Sequence, residues 1–194
     1  MFAKKGEFDM RVIAGEMGGR RLKAVPGKNT RPTTDKIKES MFNRIGPYFD
    51  GGIALDFYAG SGALGIEALS RGIEKVYAFE NNRKAQATIQ DNVSTLKLDE
   101  RYQLLREDNR RGLKNLLDRN PGLQFDLVLL DPPYEGQRLL EILESFQDLD
   151  CLAAGAVVLC ELGKEDDLPE RIGQLERWQD VTMGITRLVT YRMP

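Results

Sequence analysis

Ile53-Ala54-Leu55-Asp56-Phe57-Tyr58-Ala59-Gly60-Ser61-Gly62-Ala63-Leu64-Gly65 begins as an apolar run, meets a carboxylate and two aromatic rings, and turns through glycines into a helical pattern. A strand that ends in such a turn and opens a helix is the first unit of an open α/β sheet, where ligands bind at the carboxyl ends of the strands. Gly60 and Gly62 permit a tight turn that brings the backbone close to a ligand. Gly65 allows close helix–sheet contact.

Working outward, the unit repeats. A helix is expected over Ala63–Arg71, a strand over Lys75–Glu80 and a helix over Arg83–Leu96. There follow a strand at Tyr102–Arg106, a helix at Arg110–Arg119, a strongly apolar strand at Phe125–Leu130, a helix at Leu139–Phe146 and a strand at Gly155–Glu161. Leu175–Trp178 and Met183–Tyr191 read as a closing pair of strands. Alternating strands and helices imply a parallel sheet covered on both faces, with the hairpin adding an antiparallel strand. Upstream, Arg11–Gly15 and Gly18–Leu22 read as two short strands around a glycine turn. Thr33, Thr34 and Asp35 are N-cap residues for a helix with Ile37, Met41, Phe42 and Ile45 on one stripe and Lys36 and Lys38 on its outer face. The expected organisation is a flexible leader at 1–9, a basic extension at 10–50 and a catalytic domain at 51–194.

Composition narrows the chemistry. The chain has 194 residues, 30% charged and 41% hydrophobic, and contains no histidine. Ser-His-Asp and Cys-His mechanisms are therefore excluded, and acid–base work falls to carboxylates, Lys, Tyr or the backbone. Cys151 and Cys160 lack metal-ligand spacing, so no metal site is expected, and both read as reduced core thiols of a cytoplasmic protein. No apolar run reaches a membrane-spanning length, and the start carries no secretory pattern. Residues 1–44 hold eleven Lys and Arg against five Asp and Glu, whereas the rest hold seventeen against twenty-five. A basic arm on an acidic body points to a polyanionic partner for the arm. The body gives no comparable reason to contact nucleic acid.

Gly60-x-Gly62-x-x-Gly65 matches a dinucleotide fingerprint, and Glu80 stands about 20 residues on, where an acid would meet a ribose diol. Asp56 discriminates between cofactors. A carboxylate this close to the loop repels a pyrophosphate and attracts an ammonium, which favours S-adenosylmethionine over a nicotinamide dinucleotide. Asp108 and Asn109 follow the next strand; Asp108 either meets the adenine amino group or caps the following helix. The candidate donor-binding set is Asp56, Tyr58, Ala59, Gly60, Ser61, Gly62, Glu80, Asn81, Asp108, Asn109 and Asp131.

The catalytic candidates are Asp131, Pro132, Pro133 and Tyr134, directly after the apolar strand. Two prolines stiffen the backbone and remove two N–H donors, leaving the Asp131 carboxylate and nearby carbonyls as acceptors. An exocyclic amine on a base is a poor nucleophile because its lone pair is delocalised into the ring. Acceptors on its N–H groups favour a pyramidal nitrogen and stabilise the positive charge that develops there. Tyr134 offers a face for an unstacked base, worth roughly 1–3 kcal/mol.

Asp56-x-x-x-Gly60-x-Gly62 with Asp131-Pro-Pro-Tyr134 resembles the amino-methyltransferases that act on adenine N6, cytosine N4 or guanine N2. Met10-Arg-Val-Ile-Ala-Gly15, Gly19-Arg-Arg-Leu22, Arg31-Pro-Thr-Thr-Asp35 and Phe57–Gly72 are similar to the bacterial 16S rRNA (guanine-N2)-methyltransferases of the RsmD family. The resemblance implies a Rossmann-like seven-stranded sheet, mostly parallel with one antiparallel strand, behind a short amino-terminal hairpin and helix. It also implies S-adenosylmethionine as methyl donor and a guanine N2 of small-subunit rRNA as acceptor. Arg11, Arg20, Arg21, Lys23 and Arg31 then become phosphate contacts. A preassembled small-subunit particle is the expected substrate and a monomer the expected state. Other readings of the same residues are an amino-methyltransferase acting on another base, such as adenine N6 in DNA or RNA, a nicotinamide-dependent oxidoreductase, and a non-catalytic RNA-binding module.

Overall fold

The computed structural model describes residues 10–27, 34–133 and 138–194. The leader 1–9, Arg31 and Tyr134 lie outside the described residues. The elements are β1 (Met10–Arg11), β2 (Arg21–Leu22), α1 (Asp35–Ile45), β3 (Ile53–Asp56), α2 (Ala63–Ser70), β4 (Lys75–Phe79) and α3 (Arg83–Thr95). They continue with β5 (Tyr102–Leu105), α4 (Asn109–Arg119), β6 (Phe125–Leu130), α5 (Leu139–Asp148), β7 (Leu152–Gly163), β8 (Arg171–Ile172), β9 (Leu175–Met183) and β10 (Thr186–Arg192).

One sheet runs β5-β4-β3-β6-β7-β10-β9-β8. Strands β3 to β7 are mutually parallel, and β10 lies antiparallel between β7 and β9. The expected seven strands are present, and the two-residue β8 adds an eighth at the β9 edge. Strand faces alternate as the pleat requires. Ala54, Val76, Leu127 and Leu129 pack with Met41, Phe42, Ile66, Leu69 and Ile89 of α1, α2 and α3. Leu55, Val128 and Leu130 pack with Leu113, Leu116, Ile142 and Phe146 of α4 and α5 on the other face. From β3 the chain winds outward to β4 and β5, then returns to β6 and winds the other way. Strand order therefore reverses between β3 and β6, and a crevice opens at their carboxyl ends. Both cysteines are buried and free, and burial pushes the Cys151 thiol up to about 12. Among the described residues no helix is long and apolar enough to cross a membrane.

Two local expectations are corrected. The glycine hairpin pairs as strands only at Met10–Leu22 and Arg11–Arg21. After one further exchange, Val12 N–H to the Arg20 carbonyl and Gly19 N–H to the Val12 carbonyl, the backbone turns donors onto α2. Ile13 and Ala14 N–H donate to the Glu67 carboxylate at 2.8 and 3.1 Å, and Met17 N–H donates to Ser70 Oγ at 3.0 Å. Gly15, at φ +86°, passes so close to α2 that a Cβ there would lie 1.7 Å from the Ser70 carbonyl oxygen. Residues from Leu64 to Ser70 of α2 are all buried, because the sheet lies beneath this helix and residues 12–17 cover it.

The second correction concerns Lys38, expected on an outer face but only 2% exposed. Positions 38, 41, 42 and 45 share one helical stripe, so Lys38 faces the core with Met41, Phe42 and Ile45. Its Nζ donates to the Arg11 carbonyl and lies 3.4 Å from Glu67 Oε2. Glu67, fully buried, also accepts from Arg71 Nε at 2.7 Å. Burial pushes the Lys38 ammonium below the usual lysine range, and the Glu67 charge opposes that shift. One carboxylate thus gathers two cations and two backbone amides from three segments. Removing it strands buried charge and buried donors together. Glu67→Ala is expected to cost about 3–5 kcal/mol in urea unfolding, with loss of amide-exchange protection at Ile13 and Ala14; a loss below about 1 kcal/mol would contradict this account.

Candidate active site

The turn after β3 is held by the two strands beside it. Phe57 N–H donates to the Leu129 carbonyl at 3.1 Å, and Ala59 N–H donates to the Phe79 carbonyl at 3.0 Å. The Phe57 ring packs edge-on against Phe79 and Phe146, at centroid distances of 5.8 and 5.3 Å. Gly60 and Gly62 take φ of +56° and +82°, the left-handed region that disfavours side chains. A Cβ at Gly65 would lie 2.9 Å from the Tyr102 ring and 3.0 Å from Val76, so α2 starts in direct contact with the sheet.

Asp56 ends β3 and is 1% exposed. Its Oδ2 accepts from Gly65 N–H at 3.0 Å, while Oδ1 has no hydrogen-bond partner among the described residues. Burial pushes this carboxyl up to about 7, and the nearby charges of Asp131 and Glu80 push the same way against the Gly65 amide. Tyr102 Oη, also buried and without a hydrogen-bond partner there, lies 3.1 Å from where a Gly62 Cβ would be. Two unsatisfied buried polar atoms beneath a glycine turn fit a polar ligand group or a bound water.

Glu80 follows β4 and accepts from Gly60 N–H at 3.0 Å and Asn82 N–H at 2.7 Å. That fixes the carboxylate against the glycine turn and leaves further lone pairs free. Asn81 is exposed beside it. Asp108 caps α4 by accepting from Arg111 N–H at 3.1 Å, and Asn109 Nδ2 donates to the Phe57 carbonyl at 2.9 Å. Burial pushes the Tyr58 phenol up, opposed by the Asn109 amide and the Arg110 charge. Asp131 follows β6 and is half-buried, Pro132 is buried and Pro133 exposed. The fold therefore brings Asp56, Glu80 and Asp131 to neighbouring strand ends around one turn. No cluster with metal-holding geometry occurs among the described residues. A groove of about 440 Å³ between α3 and the outer side of β5, lined by Gln90, Val93, Gln103 and Arg106, shares none of the candidate residues.

Of the arm residues, Arg20 and Arg21 are exposed, Arg11 pairs with Asp35 at 2.8 Å and Lys23 with Asp91 at 3.1 Å. Sequence reasoning missed the residue that joins arm to turn. Asn92 of α3 accepts from Lys23 N–H at 2.8 Å and donates to the carbonyls of Lys23 and Ser61, each at 3.0 Å. Its signal was available: Asn92 stands seven residues after Ala85 and three after Ile89, a polar amide on the buried stripe of α3. Glu67 gave the same signal inside Ala63–Ser70.

A family model described as "Conserved hypothetical protein 95" matches residues 10–192. A relative named "Putative rRNA methyltransferase YlbH" from Bacillus subtilis is 45% identical, the alignment covering 94% of this chain and 98% of that one. "Ribosomal RNA small subunit methyltransferase D" of Haemophilus influenzae is 33% identical across 97% of this chain and 94% of its own. Among solved structures, "Putative methyltransferase yhhF from Escherichia coli" superposes with a TM-score of 0.81 at 30% identity, covering 95% of this chain and 98% of that one. The chain belongs to the family these proteins define, the RsmD methyltransferases.

Proposed function

We propose that the chain transfers a methyl group from S-adenosylmethionine to the exocyclic N2 of a guanine in 16S rRNA. The observation that carries the reading is the cluster of Asp56, Glu80 and Asp131 around one glycine turn. S-adenosylmethionine supplies a sulfonium-bound methyl group that a nitrogen nucleophile can attack. Asp56, with one oxygen unsatisfied, takes the donor's ammonium. Glu80, already held by two amides, accepts from ribose hydroxyls. The backbone of Tyr58, Ala59, Gly60, Ser61 and Gly62 lines the donor, and Asn81, Asp108 and Asn109 border its adenine. A ring of carboxylates suits a cationic donor and disfavours the pyrophosphate of a nicotinamide cofactor.

Asp131 acts on the acceptor. Its carboxylate takes hydrogen bonds from the exocyclic amine, which localises the nitrogen lone pair, and it stabilises the positive charge that forms there as the new bond is made. It then receives the surplus proton. Pro132 and Pro133 keep the segment stiff, and Tyr134 supplies a stacking face for a base drawn out of its helix. The guanine assignment rests on the family resemblance, as does the choice of small-subunit rRNA. The arm supplies phosphate affinity without sequence choice. A monomer acting in the cytoplasm on a partly assembled small subunit is the working context.

The direct test incubates the chain with isotope-labelled S-adenosylmethionine and small subunits from a strain lacking the gene, then analyses the rRNA nucleosides by mass spectrometry. Labelled N2-methylguanosine is expected; labelled N6-methyladenosine would overturn the base assignment. The two buried-side carboxylates separate kinetically. Asp131→Ala should lower kcat by roughly 10²–10⁴ while binding S-adenosylhomocysteine much as the parent does. Asp56→Asn should weaken that binding instead. Because an ammonium favours ionised Asp56, affinity for S-adenosylhomocysteine should rise as pH climbs through about 7 and then level off. The Asp56→Asn profile should be flat over that range; a parent profile equally flat would remove the ammonium role.

A further inference from the structure

The acidic body carries a local exception to its charge. Helix α4 starts beside the donor turn, tied to it by the bond from Asn109 Nδ2 to the Phe57 carbonyl at 2.9 Å. Its first turn is pressed against the sheet end, since a Cβ at Gly112 would lie 2.5 Å from the Phe79 ring. Gly112, Leu113 and Leu116 face inward, which leaves Arg110, Arg111 and Lys114 exposed on adjacent outward positions. Arg138, exposed just before α5, joins them: Arg110 and Arg138 approach the same Glu141 carboxylate at 3.3 and 3.7 Å. Arg111 and Lys114 make no ion pair with any described residue.

This group and the basic arm lie on opposite faces of the sheet. Val12 and Leu22 of the arm pack in the core of α1, α2 and α3, and Lys23 is bonded through Asn92 to Ser61 of the donor turn. Leu113 of α4 and Leu139 of α5 pack in the core of the other face. The crevice containing Asp131 lies between them. A base drawn out of its stack leaves a strand running away on both sides, and a contact on one flank alone lets the other swing.

Resting on the reading of a nucleic-acid substrate, we propose that Arg110, Arg111, Lys114 and Arg138 form a second phosphate-binding rim. It holds the RNA backbone on the side of the target base opposite the arm. Arg111 and Lys114, without an ion pair among the described residues, supply charge to it. Arg110 and Arg138, steadied by Glu141, present guanidinium forks suited to phosphate oxygens.

The test is a salt titration of binding to a fluorescein-labelled single-stranded RNA 20-mer. For Arg111→Gln/Lys114→Gln, affinity at low salt is expected to fall about three- to tenfold. The slope of log K against log salt should flatten by about 1.4, since each phosphate contact on a single strand contributes roughly 0.7. S-adenosylhomocysteine binding should be unchanged. Lys97→Gln/Lys164→Gln, an equal charge loss elsewhere on the surface, should match the parent. A rim variant with the parent's slope and affinity overturns the proposal, as does an equal loss in the control pair. A variant that binds the 20-mer normally but fails on small subunits also overturns it, assigning the rim to an acidic protein. A parent chain that binds no RNA at any salt concentration removes the nucleic-acid reading itself.

Discussion

The gap between the carboxyl ends of β3 and β6 is the constraint on which the site depends. The two strands are neighbours and pair through Ala54–Leu127, Leu55–Val128 and Asp56–Leu129. Helix α2, which follows β3, packs on one face of the sheet and α5, which follows β6, packs on the other. Phe57, wedged between Phe79 and Phe146, fixes the height at which the turn departs. Carboxylates at 56, 80 and 131 are then neighbours because all stand at the carboxyl ends of adjacent strands, Asp56 in register with Ala78 and Leu129 and the other two a further two residues on. The sheet sets their spacing, and no loop has to close to bring them together.

Buried polar groups do the joining elsewhere. Glu67 holds the amino-terminal segment to α2, and Asn92 holds the residue after β2 to the glycine turn. Both replace backbone partners that the short β1–β2 pairing cannot supply, since a buried amide without a partner costs about 1–3 kcal/mol. The same bonds give the basic arm a fixed address. Its backbone stands beside the glycine turn because Lys23 is tied through Asn92 to Ser61.

The sheet was legible because its signal is redundant. Phe125–Leu130 and the alternating units around it read as strand and helix from apolar pattern alone, and β6 has those bounds in the structure. The two prolines after it, and the glycines after β3, marked the crevice because only backbone demands explain such residues at strand ends. The extension was less legible. Its short strands depend on Glu67 and Ser70, more than 50 residues away, and no local period encodes a contact of that separation. Lys38 failed for a different reason: its position on the stripe was readable, but its charge argued for solvent until Glu67 was seen beneath it. Asp108 stood between two roles, and its hydrogen bond to Arg111 N–H is that of a helix cap, which leaves its other oxygen available to a ligand.

The most direct measurement is a crystal structure of the chain with S-adenosylhomocysteine. The account predicts the methionine amine against Asp56, the ribose against Glu80, and the sulfur facing Asp131 across a space large enough for a purine. A ligand seated in the groove beside β5, or one whose sulfur faces away from Asp131, would contradict it.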